Sequence, residues 1–173
     1  MSALPDGLPV DIQTMDHIAL ATWDVTNAVG LLTNVLGATY VDGGDDPAGF
    51  RWLQFRLPGG KVEVLEPLDR DGFLYRFLTK RGEGLHHVTF YVADITDAIA
   101  KLRAAGYETV DVNIQSEHWK EAFLHPRDTS GVLIQIAETP VPEGGYGKLR
   151  PLEEVLADRP NLKPDQAAGR PGG

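Results

Sequence analysis

The chain has 173 residues, a length that fits one compact domain of ordinary size or two very small ones. Its 16 lysines and arginines against 25 aspartates and glutamates give a net charge of −9, which disfavours nucleic acid as a partner. Cysteine is absent, so a metal ion would need His, Asp, Glu, Asn or Gln ligands. Neither a signal-peptide pattern nor an apolar run of membrane-spanning length occurs, so we expect a cytoplasmic protein without a membrane partner.

An internal repeat organises the chain. Residues 17–29 align with residues 87–99 at an offset of 70, and this alignment pairs His17 with His87. Each copy begins with an alternating strand whose histidine lies on the face opposite the apolar residues. The aspartate that follows each strand, Asp24 in the first copy, is a suitable N-cap for an amphipathic helix.

Three further strands follow the helix in each copy. They are predicted at 38–41, 50–57 and 61–65 in the first copy, and at 108–112, 121–125 and 131–137 in the second. Between the copies, Phe73, Leu74, Phe77 and Leu78 have helical spacing and predict a short linking helix. The last 35 residues are rich in proline and glycine, so we expect an irregular tail with helix only at 152–158.

These elements predict an α+β fold. Two tandem βαβββ modules would form a cup-shaped mixed β-sheet with the helices outside, followed by an irregular C-terminal tail. The predicted division of the chain is an N-terminal segment at 1–14, a first module at 15–68, a linking helix at 69–84, a second module at 85–138 and the tail at 139–173.

Four polar residues occupy matching positions in the two copies. His17 and His87 lie on the first strands, and Glu63 and Gln135 lie on the closing strands, all opposite the face that the helices would cover. If the two open faces join into one cup, these side chains converge. A lone histidine on a strand is more often structural, but its repetition favours a site for Mn²⁺, Fe²⁺, Co²⁺, Ni²⁺ or Zn²⁺ with positions left open for a substrate.

Four segments resemble the vicinal oxygen chelate (VOC) superfamily, and most of all its methylmalonyl-CoA epimerases: MDHIAL, VEVLEPL, RGEGLHHVTFYVADI and AFLHPRDTSGVLIQI. Glyoxalase I and the extradiol dioxygenases are more distant relatives. The resemblance covers about residues 15–138. It implies the glyoxalase fold, a divalent metal ion held by His17, Glu63, His87 and Gln135, a small-molecule substrate and a homodimer.

The chain departs from the epimerase pattern at three places. The epimerases of this family have a glutamate at the position of Gln135, and an amide accepts no proton at neutral pH. The loop at 114–120 is bulky and partly acidic where those enzymes have a glycine-rich loop, which argues against CoA as the carrier. On the strand where some epimerases place another acid, residues 51–54 read RWLQ, so a mechanism with two glutamates is not supported.

Proton abstraction in such a site needs a base. Glu63 is one candidate and Glu121, on the strand before Gln135, is another, although a solvent-facing strand residue is the competing interpretation for Glu121. The candidate substrate-binding residues are Trp52, His118, Trp119 and His125. For the loop aromatics the competing role is a subunit contact, and for His125 it is shaping a turn. Because His86 precedes a ligand histidine, we expect it to point to the opposite face.

The sequence is compatible with three functions. The leading hypothesis is a metal-dependent isomerase, epimerase or lyase of the glyoxalase type, which chelates a substrate with neighbouring oxygens and stabilises an enolate. The first alternative is an Fe(II)-dependent ring-cleaving dioxygenase, since His17, His87 and Glu63 are a set of two histidines and one carboxylate. The second alternative is a non-catalytic drug-binding protein, which the retained metal ligands disfavour. The fold alone does not choose among them.

Overall fold

Two modules repeat the same order of elements in the computed structural model, which describes residues 9–141, 150–157 and 162. The first module contains strand β1 (Ile12–Ala21), helix α1 (Val25–Gly30) with a π-helical turn (Leu31–Val35), and strands β2 (Thr39–Asp46), β3 (Phe50–Leu57) and β4 (Gly60–Pro67). Helix α2 (Phe73–Arg81) links it to the second module. That module contains β5 (Gly84–Val92), α3 (Ile95–Ala104), β6 (Thr109–Asn113), β7 (Lys120–Leu124) and β8 (Leu133–Glu138), and α4 (Leu152–Ala157) follows it.

One mixed sheet contains all eight strands in the order β2-β3-β4-β1-β5-β8-β7-β6. Each first strand pairs in parallel with the closing strand of its own module, β1 with β4 and β5 with β8. The modules join through the antiparallel pair β1 and β5, in which His17 faces Thr89 and Ala19 faces His87. The predicted α+β fold of two βαβββ modules is confirmed, and its central strand pair carries both histidines.

The same capping arrangement fixes the helix start in both modules. Asp24 and Asp94 accept hydrogen bonds from backbone N–H groups in the first turns of α1 and α3. In addition, Glu66 at the end of β4 and Glu138 at the end of β8 each accept a bond from the first N–H of the helix in the same module. Each helix is thereby attached to its closing strand. Both helices pack on the face opposite the cavity, since α1 contacts Val64 and α3 contacts Ile136.

Apolar side chains pack on both faces of the sheet, and more of them pack on the helical face. On the helical face, one cluster centres on Phe55 and Val25, with Val155 of α4 packed into it, and a second centres on Ile95 and Ile136. On the opposite face, a smaller cluster packs Leu74 and Leu78 of α2 against Ala19, Ala21 and Leu65. The linking helix therefore covers one end of the concave face and leaves the rest open for a cavity.

Strand β2 is longer than its predicted span of 38–41. It continues through Gly43 and Gly44 to Asp46, along β3. Glycine is usually unfavourable inside a strand. At Gly43, however, a Cβ atom would lie 2.8 Å from the backbone oxygen of Trp52 on β3, so the close approach of the two strands favours glycine there.

Helix α4 matches the one helix predicted in the tail. The remaining tail residues 142–149, 158–161 and 163–173, together with residues 1–8, lie outside the described residues. The division of the chain into segments and modules at the stated boundaries stays a prediction. Among the helices that are described, none is long and apolar enough to cross a membrane.

The cap at α3 provides a test of this arrangement. Asp94→Ala removes the acceptor of the Thr96 and Asp97 backbone N–H groups, so we expect the free energy of unfolding to fall by about 1 kcal/mol. The matched control is Asp97→Ala, because the carboxylate of Asp97 forms only a partly exposed ion pair with Lys101, worth less than about 0.5 kcal/mol. Urea denaturation measures both, and equal losses would contradict the capping role.

Candidate metal centre and substrate cavity

Three donor atoms from three strands meet on the concave face. His17 on β1, Glu63 on β4 and His87 on β5 are buried. The Nε2 atoms of the two histidines are 3.3 Å apart, and Oε2 of Glu63 lies 3.5 Å from the first and 3.8 Å from the second. Ligands that share one ion at about 2.0–2.2 Å are roughly 3.0–3.5 Å apart, so two of the three distances fit a shared divalent metal ion and the third is slightly longer.

Gln135, the fourth predicted ligand, lies beside this group. The hydroxyl of Thr89 donates to Oε1 of Gln135 at 2.5 Å and lies 3.0 Å from Nε2 of His17. The amide nitrogen of Gln135 donates to Oε2 of Glu121 at 2.6 Å. The structure thus brings all four predicted ligands together, and the hydroxyl group of Thr89 lies between Gln135 and His17.

A β-bulge in β1 places an acceptor at the ring nitrogen of His17 that faces away from the other two donors. The pairing with β5 shifts between Met15 and His17, so that Asp16 is an extra residue. Its Oδ2 accepts from Nδ1 of His17 at 2.6 Å, and its Oδ1 lies 2.8 Å from the ammonium nitrogen of the buried Lys61. With Nδ1 engaged, His17 presents Nε2 to the cavity, which is the arrangement that orients histidine ligands in metal proteins.

A second bulge, in β5, corrects the prediction for His86. Ala19 pairs with His87 but Leu20 pairs with Leu85, so His86 is an extra residue and the alternation of faces breaks there. The expectation that His86 points away from His87 is therefore wrong. Its Nδ1 lies 2.8 Å from Nδ1 of His87, and its ring packs on Phe77 of α2 in the same cavity.

The electrostatics of the group favour a protonated, positively charged His17 beside an ionised Glu63. Burial alone would lower the pKa of His17, but the carboxylates of Glu63 and Asp16 outweigh it and raise the pKa to about 9. Burial alone would raise the pKa of Glu63, but mainly the charge of His17 lowers it to about 2. Burial lowers the pKa of His86 to about 4 and that of His87 to about 3, so both rings are neutral at pH 7.

A cavity of about 550 Å³ opens over the group. Aromatic rings dominate its wall: Phe50, Trp52, Phe73, Trp119 and Phe123. The acids Asp46, Asp111 and Glu121 also line it, whereas no lysine or arginine does among the described residues. The cavity therefore suits an apolar substituent next to a polar group that reaches the three donors.

Glu121 lies inside the cavity, unlike the plain solvent-facing residue of the competing interpretation. Its Oε2 accepts hydrogen bonds from the indole N–H of Trp119 at 2.8 Å and from the amide of Gln135. These bonds fix the carboxylate on the strand next to β8. Trp52 and Trp119, two of the predicted substrate-binding residues, are part of the wall that surrounds it.

Two predicted substrate-binding residues do not reach the cavity. His118 is exposed, because the turn around Ser116 directs the following Trp119 inward instead. His125 is also exposed, and its Nδ1 accepts from the backbone N–H of Arg127 at the start of a 3₁₀ turn. His125 thus has the turn-shaping role that was its alternative interpretation.

Sequence reasoning missed the side chains that support the ligands. Thr89 aligns with Ala19 in the repeat, so repetition gave no signal for it. For Asp16 and His86 a signal was present, because they too are 70 residues apart and each precedes a ligand histidine. The strand alternation concealed it, since alternation assigns both residues to the wrong face.

The family comparison agrees with this site. The sequence model of the Glyoxalase/Bleomycin resistance protein/Dioxygenase superfamily matches residues 16–123. The chain belongs to this superfamily. The superfamily resemblance found in the sequence motifs is thereby confirmed.

Its relatives within the superfamily include epimerases. The chain is 31% identical to the ethylmalonyl-CoA/methylmalonyl-CoA epimerase of Cereibacter sphaeroides over 132 residues, which are 73% of this chain and 98% of that protein. It is 30% identical to the human mitochondrial methylmalonyl-CoA epimerase over 128 residues, which are 72% of this chain and 73% of that protein. A solved methylmalonyl-CoA epimerase in complex with methylmalonyl-CoA and NH4+ superposes with a TM-score of 0.67 at 26% identity, covering 75% of this chain and 96% of that chain. The prediction of an enzyme of the superfamily is confirmed.

The charge pair in the site predicts how the stability of chelator-treated protein depends on pH. The pKa of His17 is about 9 in the folded chain and about 6.5 when unfolded, so its contribution is complete below pH 6.5 and is lost as the pH rises through 9. We expect the free energy of unfolding to fall across this window by up to about 3 kcal/mol. Urea denaturation of wild type and His17→Gln measures it, and parallel pH curves for the two proteins would contradict the charge pair.

Proposed function

We propose that the chain is a divalent-metal-dependent VOC enzyme of the isomerase or epimerase type. It acts on a substrate with neighbouring oxygens and stabilises the enolate of that substrate. The observation that carries this proposal is the group of donor atoms of His17, Glu63 and His87, all within 4.8 Å of one another and contributed by both modules. The epimerase relatives support the reaction type.

Nitrogen and oxygen donors suit Mn²⁺, Fe²⁺, Co²⁺, Ni²⁺ or Zn²⁺. His17, Glu63 and His87 would hold the ion, and Gln135 is the proposed fourth ligand. When bound, the ion supplies positive charge that stabilises negative charge on a substrate oxygen. Glu63 is suited to this task because its lowered pKa keeps it ionised and because Gln54 donates a hydrogen bond to its Oε1.

Glu121 is the proposed base. Its Oε2 is held by Trp119 and Gln135, which leaves Oε1 to take a proton from a substrate in the cavity. Glu63 is a weaker candidate, since a carboxylate with a pKa of about 2 binds a proton poorly at pH 7. In this arrangement Gln135 does not replace the glutamate of the epimerases in proton transfer. Instead, its amide positions a carboxylate on the adjacent strand β7.

The substrate proposal separates the reacting group from its carrier. The relatives named above act on malonyl-type thioesters, in which a carboxylate and a thioester carbonyl flank the acidic carbon. We propose a reacting group of this kind. The wall of the cavity is aromatic, and its described residues include no lysine or arginine that could pair with the phosphates of CoA. This favours a carrier that lacks phosphates.

One observation favours the dioxygenase as a second candidate. The three donors are two imidazoles and one carboxylate, the set that holds non-haem Fe(II) in many oxygenases. Retention of iron together with oxygen uptake in the presence of a catechol would support it. A drug-binding protein is the weaker alternative, because Glu121 and the metal-ligating group have no role in it. The homodimer and the cytoplasmic location also stay predictions.

Hydrogen exchange in D₂O tests the function. We expect Co²⁺-loaded protein to exchange the C2 hydrogen of methylmalonyl N-acetylcysteamine, a thioester that lacks the CoA phosphates, at least as efficiently as that of methylmalonyl-CoA. Excess chelator should abolish exchange. Glu121→Gln should slow it by about 10²- to 10⁴-fold because the proton acceptor is lost.

The matched control is Glu117→Gln, an exposed acid outside the cavity, which should exchange at the wild-type rate. Mass spectrometry of the recovered thioester measures the incorporation. Absence of exchange from both thioesters with every one of the five metal ions would contradict the proposed function. Efficient exchange from the CoA ester alone would contradict only the proposal about the carrier.

A further inference from the structure

The two ligand histidines have neighbours that are related by the repeat. Asp16 and His86 are 70 residues apart in the sequence, and each is the extra residue of a β-bulge. Oδ2 of Asp16 lies 2.6 Å from Nδ1 of His17, and Nδ1 of His86 lies 2.8 Å from Nδ1 of His87. In both modules the bulge residue thus engages the same atom of the histidine that follows it.

This contact couples the tautomers of His86 and His87. Two imidazole nitrogens 2.8 Å apart share one proton, so one donates and the other accepts. Nε2 of His87 faces Glu63, and a neutral histidine that ligates through Nε2 carries its proton on Nδ1. With an ion on Nε2 of His87, His86 accepts at Nδ1, as the carboxylate of Asp16 does for His17. Its own proton is then on Nε2.

The Nε2–H of His86 belongs to a ring in the cavity wall. The side chain is 9% exposed, and its ring centroid lies 4.7 Å from that of Phe77 and 5.7 Å from that of Phe73. No acceptor for Nε2 is found in the part of the chain that the structure describes. The atom is not among the described fully buried side-chain atoms that lack a partner, so an oxygen of a molecule in the cavity can accept its hydrogen bond.

We propose that His86 has two roles: its Nδ1 positions the metal ligand His87, and its Nε2–H donates a hydrogen bond to an oxygen of the bound substrate. The second role makes His86 a substrate-binding residue beside the metal centre. The proposal rests on the proposed function, because it requires His87 to bind the ion through Nε2. It adds a donor that discriminates in favour of substrates with an oxygen at that point.

Two substitutions separate the roles. In His86→Asn the side-chain oxygen is close to the position of Nδ1, so the acceptor for His87 is kept and the donor to the substrate is lost. In His86→Gln the longer amide reaches the position of Nε2, so a donor is kept and the acceptor is lost. Each variant serves as the control for the other, and thermal unfolding followed by circular dichroism verifies that both fold.

The measurements are the affinity for Co²⁺, by competition with a chromophoric chelator, and the affinity of the Co²⁺-loaded protein for acetohydroxamate, from its visible spectrum. Acetohydroxamate is a probe with two neighbouring oxygens. We expect His86→Asn to bind Co²⁺ within about threefold of wild type but acetohydroxamate about tenfold more weakly. We expect His86→Gln to bind Co²⁺ at least about tenfold more weakly.

NMR gives a direct readout of the tautomers. In Zn²⁺-loaded protein, the imidazole nitrogen chemical shifts should show the proton of His87 on Nδ1 and that of His86 on Nε2. The reverse assignment for His86 overturns the proposal. So does a His86→Asn variant that binds acetohydroxamate as tightly as wild type, or a His86→Gln variant that keeps wild-type affinity for Co²⁺.

These outcomes are distinct from failure of the proposed function. If wild type binds Co²⁺ and exchanges the thioester hydrogen while both variants bind both probes normally, only the inference about His86 is overturned. If wild type takes up no metal ion, the proposed function and this inference are overturned together.

Discussion

The antiparallel pairing of β1 with β5 is the constraint on which the site depends. Backbone hydrogen bonds between the modules bring Nε2 of His17 to within 3.3 Å of Nε2 of His87, although the two residues are 70 positions apart. The parallel pairing of β4 with β1 then adds Glu63 from the neighbouring strand. No loop has to be ordered to assemble these three donors. A site on central strands is held more rigidly than a site on loops.

Burying this polar group has a cost that the surroundings must offset. A carboxylate removed from water is destabilising unless charges or hydrogen bonds compensate it. The carboxylate of Glu63 lies beside His17 and accepts a hydrogen bond from Gln54. The carboxylate of Asp16 is paired with His17 and with the ammonium group of Lys61. The raised pKa of His17 and the lowered pKa of Glu63 reflect the same compensation. A proton and a divalent ion therefore compete for the lone pairs of these side chains. The described residues that line the cavity above include no lysine or arginine.

Much of this architecture could be predicted because a repeat constrains both fold and chemistry. The offset of 70 indicated two modules and paired His17 with His87, and the caps at Asp24 and Asp94 follow from the same alignment. What local patterns could not indicate depends on irregular pairing. The bulge that turns His86 into the cavity breaks strand alternation, and the placement of α2 as a wall depends on packing against Ala19 and its neighbours. Alternation describes regular strands only, and functional sites concentrate at its interruptions.

The central claim is that residues of both modules hold one divalent metal ion, and metal content after equilibrium dialysis tests it most directly. Elemental analysis of wild type, His17→Ala, His87→Ala and the exposed-histidine control His118→Ala should be done after dialysis against each candidate ion in turn. The account predicts about one ion per chain in wild type and in His118→Ala, and less than about a tenth of that in the other two, because each removes a ligand from a different module. Stoichiometric metal in both ligand variants, or none in wild type with any of the ions, would contradict it.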